Sequence, residues 1–213
     1  PQNSQSVFEV QGVNIENNNE REPVAYALPP GVLREELRTQ NQNIRQNEQS
    51  LALRVQDLES EGARAVFKNI RIDMRQYESL EMFLHVDHGN FLDQSVEDGE
   101  IEAFVRFGVD FTQNYYEVRL PLTITQPGLN LSSEEVWPTE NNFKINLELL
   151  QKIKSEVLGN PNLNPSDLSD PITESALGGA NSGPNQHTYL IKGNPNFGDI
   201  RSLMIGVRNA SED

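Results

Sequence analysis

The chain has no cysteine. That excludes disulfides, thiolate metal sites and cysteine nucleophiles. No apolar run approaches the ~20 residues of a membrane-spanning helix, so the chain is not expected to cross a membrane by helices. Cations are scarce: 17 Lys and Arg against 32 Asp and Glu give a net charge of −15. Such a balance repels a phosphate backbone and an anionic membrane surface, which argues against nucleic acid as a partner. There is no G-x-S-x-G elbow, no P-loop and no dinucleotide fingerprint at a strand-to-helix turn. The run GNPNFGD at 193–199 has two glycines, but strand patterns flank it and it reads as a turn. No secretory leader pattern is present, and the opening PQNSQSVFEV reads as the interior of something larger.

What is there is mostly strand. In 101–125, IEAFVRFGVDFTQNYYEVRLPLTIT, the residues Ile101, Ala103, Val105, Phe107, Val109 and Phe111 alternate with polar ones, as do Tyr116, Val118, Leu120, Leu122 and Ile124. Successive strand side chains point to opposite faces, so each run carries one apolar stripe. Thr112, Gln113 and Asn114 form the break of an antiparallel hairpin. Similar stripes occur at Leu51, Leu53 and Val55, at Ile70, Ile72 and Met74, and at Leu80, Met82, Leu84 and Val86. Two more occur in 188–192 and at Leu203, Ile205 and Val207. The expected core joins Leu84, Val105, Phe107, Val118, Leu120 and Ile205 between two sheets.

The period changes once. Leu147, Leu150, Ile153 and Val157 recur at helical spacing, with Asn146 placed to cap the start and Gly159 the end. The regular strands predict an all-β, antiparallel β-sandwich with this one short helix. Residues 1–48 read as an extended N-terminal segment packed on the sandwich domain at 49–213. Within 1–48, residues 34–48 carry almost no apolar residue and read as loop, and the proline-rich 23–31 reads as extended. The Pro, Gly, Asn and Ser of 160–186 predict a mobile loop that packs little.

Candidate chemistry is sparse. His85 and Asp87 share a strand face, and imidazole with carboxylate suits zinc, but the spacing implies no third ligand. The expected reading is a solvated strand end with no metal. Asp57, Glu59 and Glu61 could offer oxygens to calcium, yet lack an EF-hand pattern and read as a charged turn. Paired carboxylates for glycoside hydrolysis cannot be picked out among so many acids. Phe83, Phe104 and Tyr115 fall on the polar side of their strands, and Trp137 is the only tryptophan. These four are the candidate interaction surface, for sugar rings or a protein partner. For Phe83, Phe104 and Tyr115 the favoured reading is nevertheless partial burial beneath the N-terminal segment or the long loop.

Several long blocks resemble the SprA family, called Sov in some members. They are PPGVLREE at 29–36, NEQSLALRVQDL at 47–58, ARAVFKNIRIDMRQYESLEMFLH at 63–85, NYYEVRLPL at 114–122, VWPTENNF at 136–143 and IKGNPNFGDIRSLMIGVRN at 191–209. SprA-like proteins form the outer-membrane translocon barrel of the Bacteroidota type IX secretion system and support gliding motility. The resemblance implies a non-catalytic soluble domain of that barrel, at the cell surface or on the periplasmic side, with no cofactor. The implied partners are the rest of the barrel, the plug protein and secreted client proteins. The order of pieces also resembles the galactose-binding-like jelly roll of carbohydrate-binding modules, with Asp73, Tyr77 and Leu80 in its D-x-x-x-Y-x-x-L turn. A glycan-binding module at the cell surface is therefore the alternative function, although likeness of fold is a weak warrant for it.

Overall fold

A computed structural model describes residues 6–34, 36–39, 42–45, 47–89, 96–173 and 186–211. In chain order the strands are β1 (Val7–Asn14), β2 (Glu36–Thr39), β3 (Gln42–Arg45), β4 (Gln49–Gln56), β5 (Ala63–Ile72) and β6 (Ser79–Met82). They continue with β7 (Ile101–Gly108), β8 (Tyr115–Pro121), β9 (Phe143–Asn146), β10 (Ile172–Thr173), β11 (Thr188–Lys192) and β12 (Ile200–Asn209). The helices are α1 (Ile15–Asn18), α2 (Ser133–Val136) and α3 (Leu147–Gly159). The architecture is all-β and antiparallel.

The hairpin β7–β8 lies inside a six-stranded sheet of order β10-β11-β8-β7-β12-β5. Its register sets Val105 opposite Val118 and Phe107 opposite Tyr116. The turn between the strands is built by one carboxylate: Asp110 Oδ1 accepts from the amides of Thr112 (2.8 Å), Gln113 (2.6 Å) and Asn114 (3.2 Å). Burial pushes the Asp110 carboxyl up, but these bonds outweigh it and hold it well below the usual carboxylate range.

One face of this sheet makes the core. Val105, Phe107, Val118 and Leu120 are buried there, with Leu84 and Ile205 partly buried against them. The opposite layer combines the β6–β9 ribbon with α3. Helix α3 contributes Leu147, Leu150, Ile153 and Val157, the residues its spacing selects, and Asn146 caps it by accepting from Leu149 N at 3.1 Å. The rings of Phe107, Tyr116 and Phe197 stack beside it, with Tyr116 and Phe197 centroids 4.6 Å apart.

The core does lie between two sheets, the six-stranded one and the two-stranded β6–β9, with α3 added to the second layer. Three expectations need correction. The stripe through Leu84 and Val86 is not strand: pairing in β6 ends at Met82, and beyond it Val86 O accepts from Thr125 N at 2.9 Å. Residues 34–48 are not all loop, because β2 and β3 pair with each other; two short strands satisfy each other's backbone without an apolar stripe. The expectation of little packing over 160–186 does not hold for 160–173. There Leu163 and Ile172 pack on the core, Ser169 Oγ accepts from Ile191 N at 3.0 Å, and β10 pairs with β11. Residues 174–185 of that stretch lie outside the described residues.

Candidate interaction site

Trp137 stands where three stretches of chain meet. A capping box sets α2 ahead of it: Ser132 Oγ accepts from Glu135 N (3.2 Å), and Glu135 Oε2 accepts from Ser132 N (2.7 Å). That short helix delivers Val136 and Trp137, 2% and 8% exposed, to a small second core with Val24, 1% exposed. The Trp137 indole N–H donates to Ala27 O at 2.9 Å. The rings of Tyr26, Phe83 and His85 stand edge-on to it, with centroids at 6.2, 6.4 and 5.8 Å. Tyr26 reaches on to Ser50 Oγ through its hydroxyl at 2.8 Å. The N-terminal segment 21–28 thus lies as a strap over Trp137.

An ionic clamp fastens the near end of the strap. Arg21 donates to both Asp87 oxygens, at 2.7 and 3.2 Å, and to Val24 O at 3.2 Å. His85 Nε2 lies 2.9 Å from Asp87 Oδ2, and its Nδ1 lies 2.8 Å from Val136 O. Both ring nitrogens are thus held by hydrogen-bonding oxygens, with Thr125 Oγ1 also 3.1 Å from Nδ1. Gly89 N also donates to Asp87 Oδ1, at 2.7 Å. Burial pushes the Asp87 carboxyl up, but the bonds from His85 and Arg21, the Arg21 charge and the Gly89 amide outweigh it and hold it well below the usual carboxylate range.

The expected solvated strand end at His85 and Asp87 is therefore a buried joint: the Asp87 side chain is only 6% exposed. The two residues do lie on one side of the chain, but their polar atoms are taken by Arg21, Gly89, Val136 and each other. Among the described residues no three potential metal ligands come together. Glu61, offered by the sequence as a calcium ligand, pairs instead with Arg208. Sequence reasoning missed Arg21 and Thr125, whose hydroxyl lies 3.1 Å from His85 Nδ1. No local pattern could have found Arg21, which stands 66 residues from Asp87.

The four candidate aromatics do not form one surface. Phe83 and Trp137 meet at the strap, with Phe83 exposed and Trp137 covered. Phe104 and Tyr115 lie on the far face of the main sheet, each 5% exposed. The Phe104 ring lies over Gly206 of β12, where a Cβ would come within 2.7 Å of that ring and 2.6 Å of Ala65 Cβ. A glycine inside the strand pattern was the available sign of such an approach. Arg106 covers Tyr115, its Cζ 4.3 Å from the ring centroid, while also donating to Glu117 Oε2 at 2.6 Å. Arg119 holds the other Glu117 oxygen at 2.7 Å. Arginine stems and ion pairs thus close over aromatics that the alternation pattern left facing water.

A family model described as "motility related/secretion protein", SprA_N, matches residues 1–213. The chain belongs to the SprA_N family. Comparison with curated proteins found no match. SprA_N is a family of motility and secretion, not of enzymes. In this SprA_N chain no helix among the described residues is long and apolar enough to cross a membrane. The groups at the Trp137 joint are those that hold an extended segment: an indole donor for a carbonyl, aromatic edges for apolar side chains and a carboxylate for a guanidinium.

Proposed function

We propose that this chain is a non-catalytic domain of a SprA-type translocon, serving protein secretion across the outer membrane by the type IX system and gliding motility through protein contacts. The observation that carries this reading is the family match along residues 1–213. The chemistry of the site supports it, because the most buried acids are spent on structure: Asp87 clamps the strap and Glu117 bridges two arginines. The partners are the remainder of the translocon, its plug protein and secreted clients, and the domain works at the outer membrane, on the surface or the periplasmic side. Burial of Phe104, Tyr115 and Trp137 leaves the glycan-binding alternative without its platform.

The test is made in the full-length protein. Removing this segment while retaining an assembled translocon is expected to abolish or sharply reduce export of clients and surface gliding. Normal export and gliding by such a strain would overturn the reading.

A further inference from the structure

Strand β5 is the terminal strand of the six-stranded sheet, and no described residue pairs with its outer edge. It is ten residues long, and near its start the Arg64 guanidinium donates to Ser6 Oγ, so the bare stretch begins beyond that contact. Its sequence, ARAVFKNIRI, holds three basic residues and no acid, in a chain of net charge −15. Lys68 and Arg71 are exposed, and the Arg71 charge acts on Asp199, which is itself paired with Arg201. Phe67 is 64% exposed, against Phe111 at a centroid distance of 5.2 Å. Beside them an open depression of about 550 Å³ has Asn69, Arg71, Asp110, Phe111, Arg201 and Ser202 in its lining, and Asp110, its one acid, is already bonded to the turn amides. Elsewhere on the sheet's outer face the aromatics are covered; at Phe67 one is left bare next to an open ladder.

We infer that the free edge of β5 is a docking site for an extended acidic segment of a partner protein, which adds to the sheet as a further strand and lays an apolar side chain on Phe67 and Phe111. Main-chain bonds to an edge strand supply attachment, and alternate side chains supply selectivity. The register fixes the alternation. Phe67 lies in line with Met204 and Arg106 on the outer face, and Lys68 in line with Leu203 and Phe107 on the core face. An added strand therefore presents an apolar residue beside Phe67 and an acid beside Lys68, on opposite faces. A second copy of this chain is disfavoured as the occupant, since two bodies of charge −15 repel. Edge cations can instead serve to repel any added strand, and the two roles give opposite results with a peptide.

The probe is a fluorescein-labelled peptide of about nine residues, with Glu alternating with Val and one central Phe in place of Val. Two controls accompany it: the same peptide with Lys for Glu, and the acidic peptide N-methylated at alternate amides to remove main-chain bonding. With the 213-residue chain, the acidic peptide is expected to raise anisotropy and to slow amide hydrogen exchange within residues 63–72. Affinity is expected to fall by roughly tenfold or more for Lys68→Glu combined with Arg71→Glu, and separately for Phe67→Ser. All three positions are exposed, and unchanged melting curves confirm folding of the variants. Both control peptides are expected to bind far more weakly. Overturning results are unchanged exchange at 63–72, equal binding of the lysine or N-methylated peptide, equal binding by the charge-reversed chain, or a dimer in light scattering that the peptide dissociates, which would make a second copy the occupant.

Discussion

Phe107 has no exposed surface and packs its ring against both Tyr116 and Phe197. Truncation in place leaves a cavity between the main sheet and the layer that covers it. Phe107→Ala is expected to cost about 3–5 kcal/mol, read as a lower denaturation midpoint at unchanged slope. Glu117 is as deeply set, 2% exposed, but on the other face. Removing its carboxylate leaves Arg106 and Arg119 facing each other across β7 and β8 without a counter-ion. Glu117→Ala is expected to cost about 2–3 kcal/mol, discounted from a fully buried pair because both arginines reach water. An unchanged midpoint in urea would show that the two guanidinium groups find solvent at no cost. Gly206 is constrained by its neighbours, since Arg64 O, Ala65 Cβ and Phe104 Cε1 would all lie within 2.7 Å of an added Cβ.

The strap at 21–28 is held at one end by charge and at the other by aromatic contacts. The charged end gives it a pH dependence whose sign follows from Asp87. Its carboxyl is depressed in the folded chain relative to the ordinary value of 3.8, so folding binds fewer protons there. The stabilisation is fully present above about pH 4 and is lost as pH falls through the lower, folded value. Asp87→Asn is therefore expected to melt below the parent at pH 6, with the gap closing as pH falls towards about 2. Melting curves of both chains across that range test it; a gap that stays constant with pH would mean that the loss does not come from the ionised carboxylate, and no gap at pH 6 would mean that the amide retains all that the carboxylate does. In the β1–β4 ribbon, eight paired residues place Phe8 and Val10 beside Val55 and Leu53. Two strands alone are marginal in water, so this ribbon depends on the strap that follows it.

At the scale of the whole molecule, the N-terminal stretch is part of the fold. Deleting residues 1–31 removes β1, Val24 and the cover over Trp137. Loss of Val24 burial alone is worth roughly 1.5–3 kcal/mol, and in a chain of this size a loss of about 2–3 kcal/mol lowers Tm by roughly 5–10 °C. The shortened chain is also expected to self-associate, because Leu51, Leu53 and Val55 lose their paired strand and Trp137 its cover. Calorimetry and light scattering on the two chains measure both effects. Equal Tm and a monomeric shortened chain would reduce the segment to a linker. The net charge of −15 opposes unspecific contact between copies, which leaves bare surfaces such as the edge of β5 to decide what is bound.

By itself the sequence determined the elements whose pattern is local. Alternation over 101–125 determined the hairpin and its buried face, because the strand period is two and a slip of one residue would turn every apolar side chain outwards. Helical spacing of Leu147, Leu150, Ile153 and Val157, with Asn146 ahead of them, determined α3 and its cap. Tertiary structure alone decided what lies against what. Alternation shows which side chains share a face but not what covers that face: the expected cover for Phe104 and Tyr115 is the N-terminal segment or the long loop, whereas Arg106 lies over Tyr115 and the Phe104 ring lies over the gap at Gly206. His85 and Asp87 read as a solvated pair because Arg21, which pairs with Asp87, is remote in the chain. Strand order in the main sheet was likewise beyond local reading, since β12 enters between β7 and β5 after nearly the whole chain has passed. Contacts of that range come from packing of the complete core, where one arrangement buries both the apolar stripes and the charges between them.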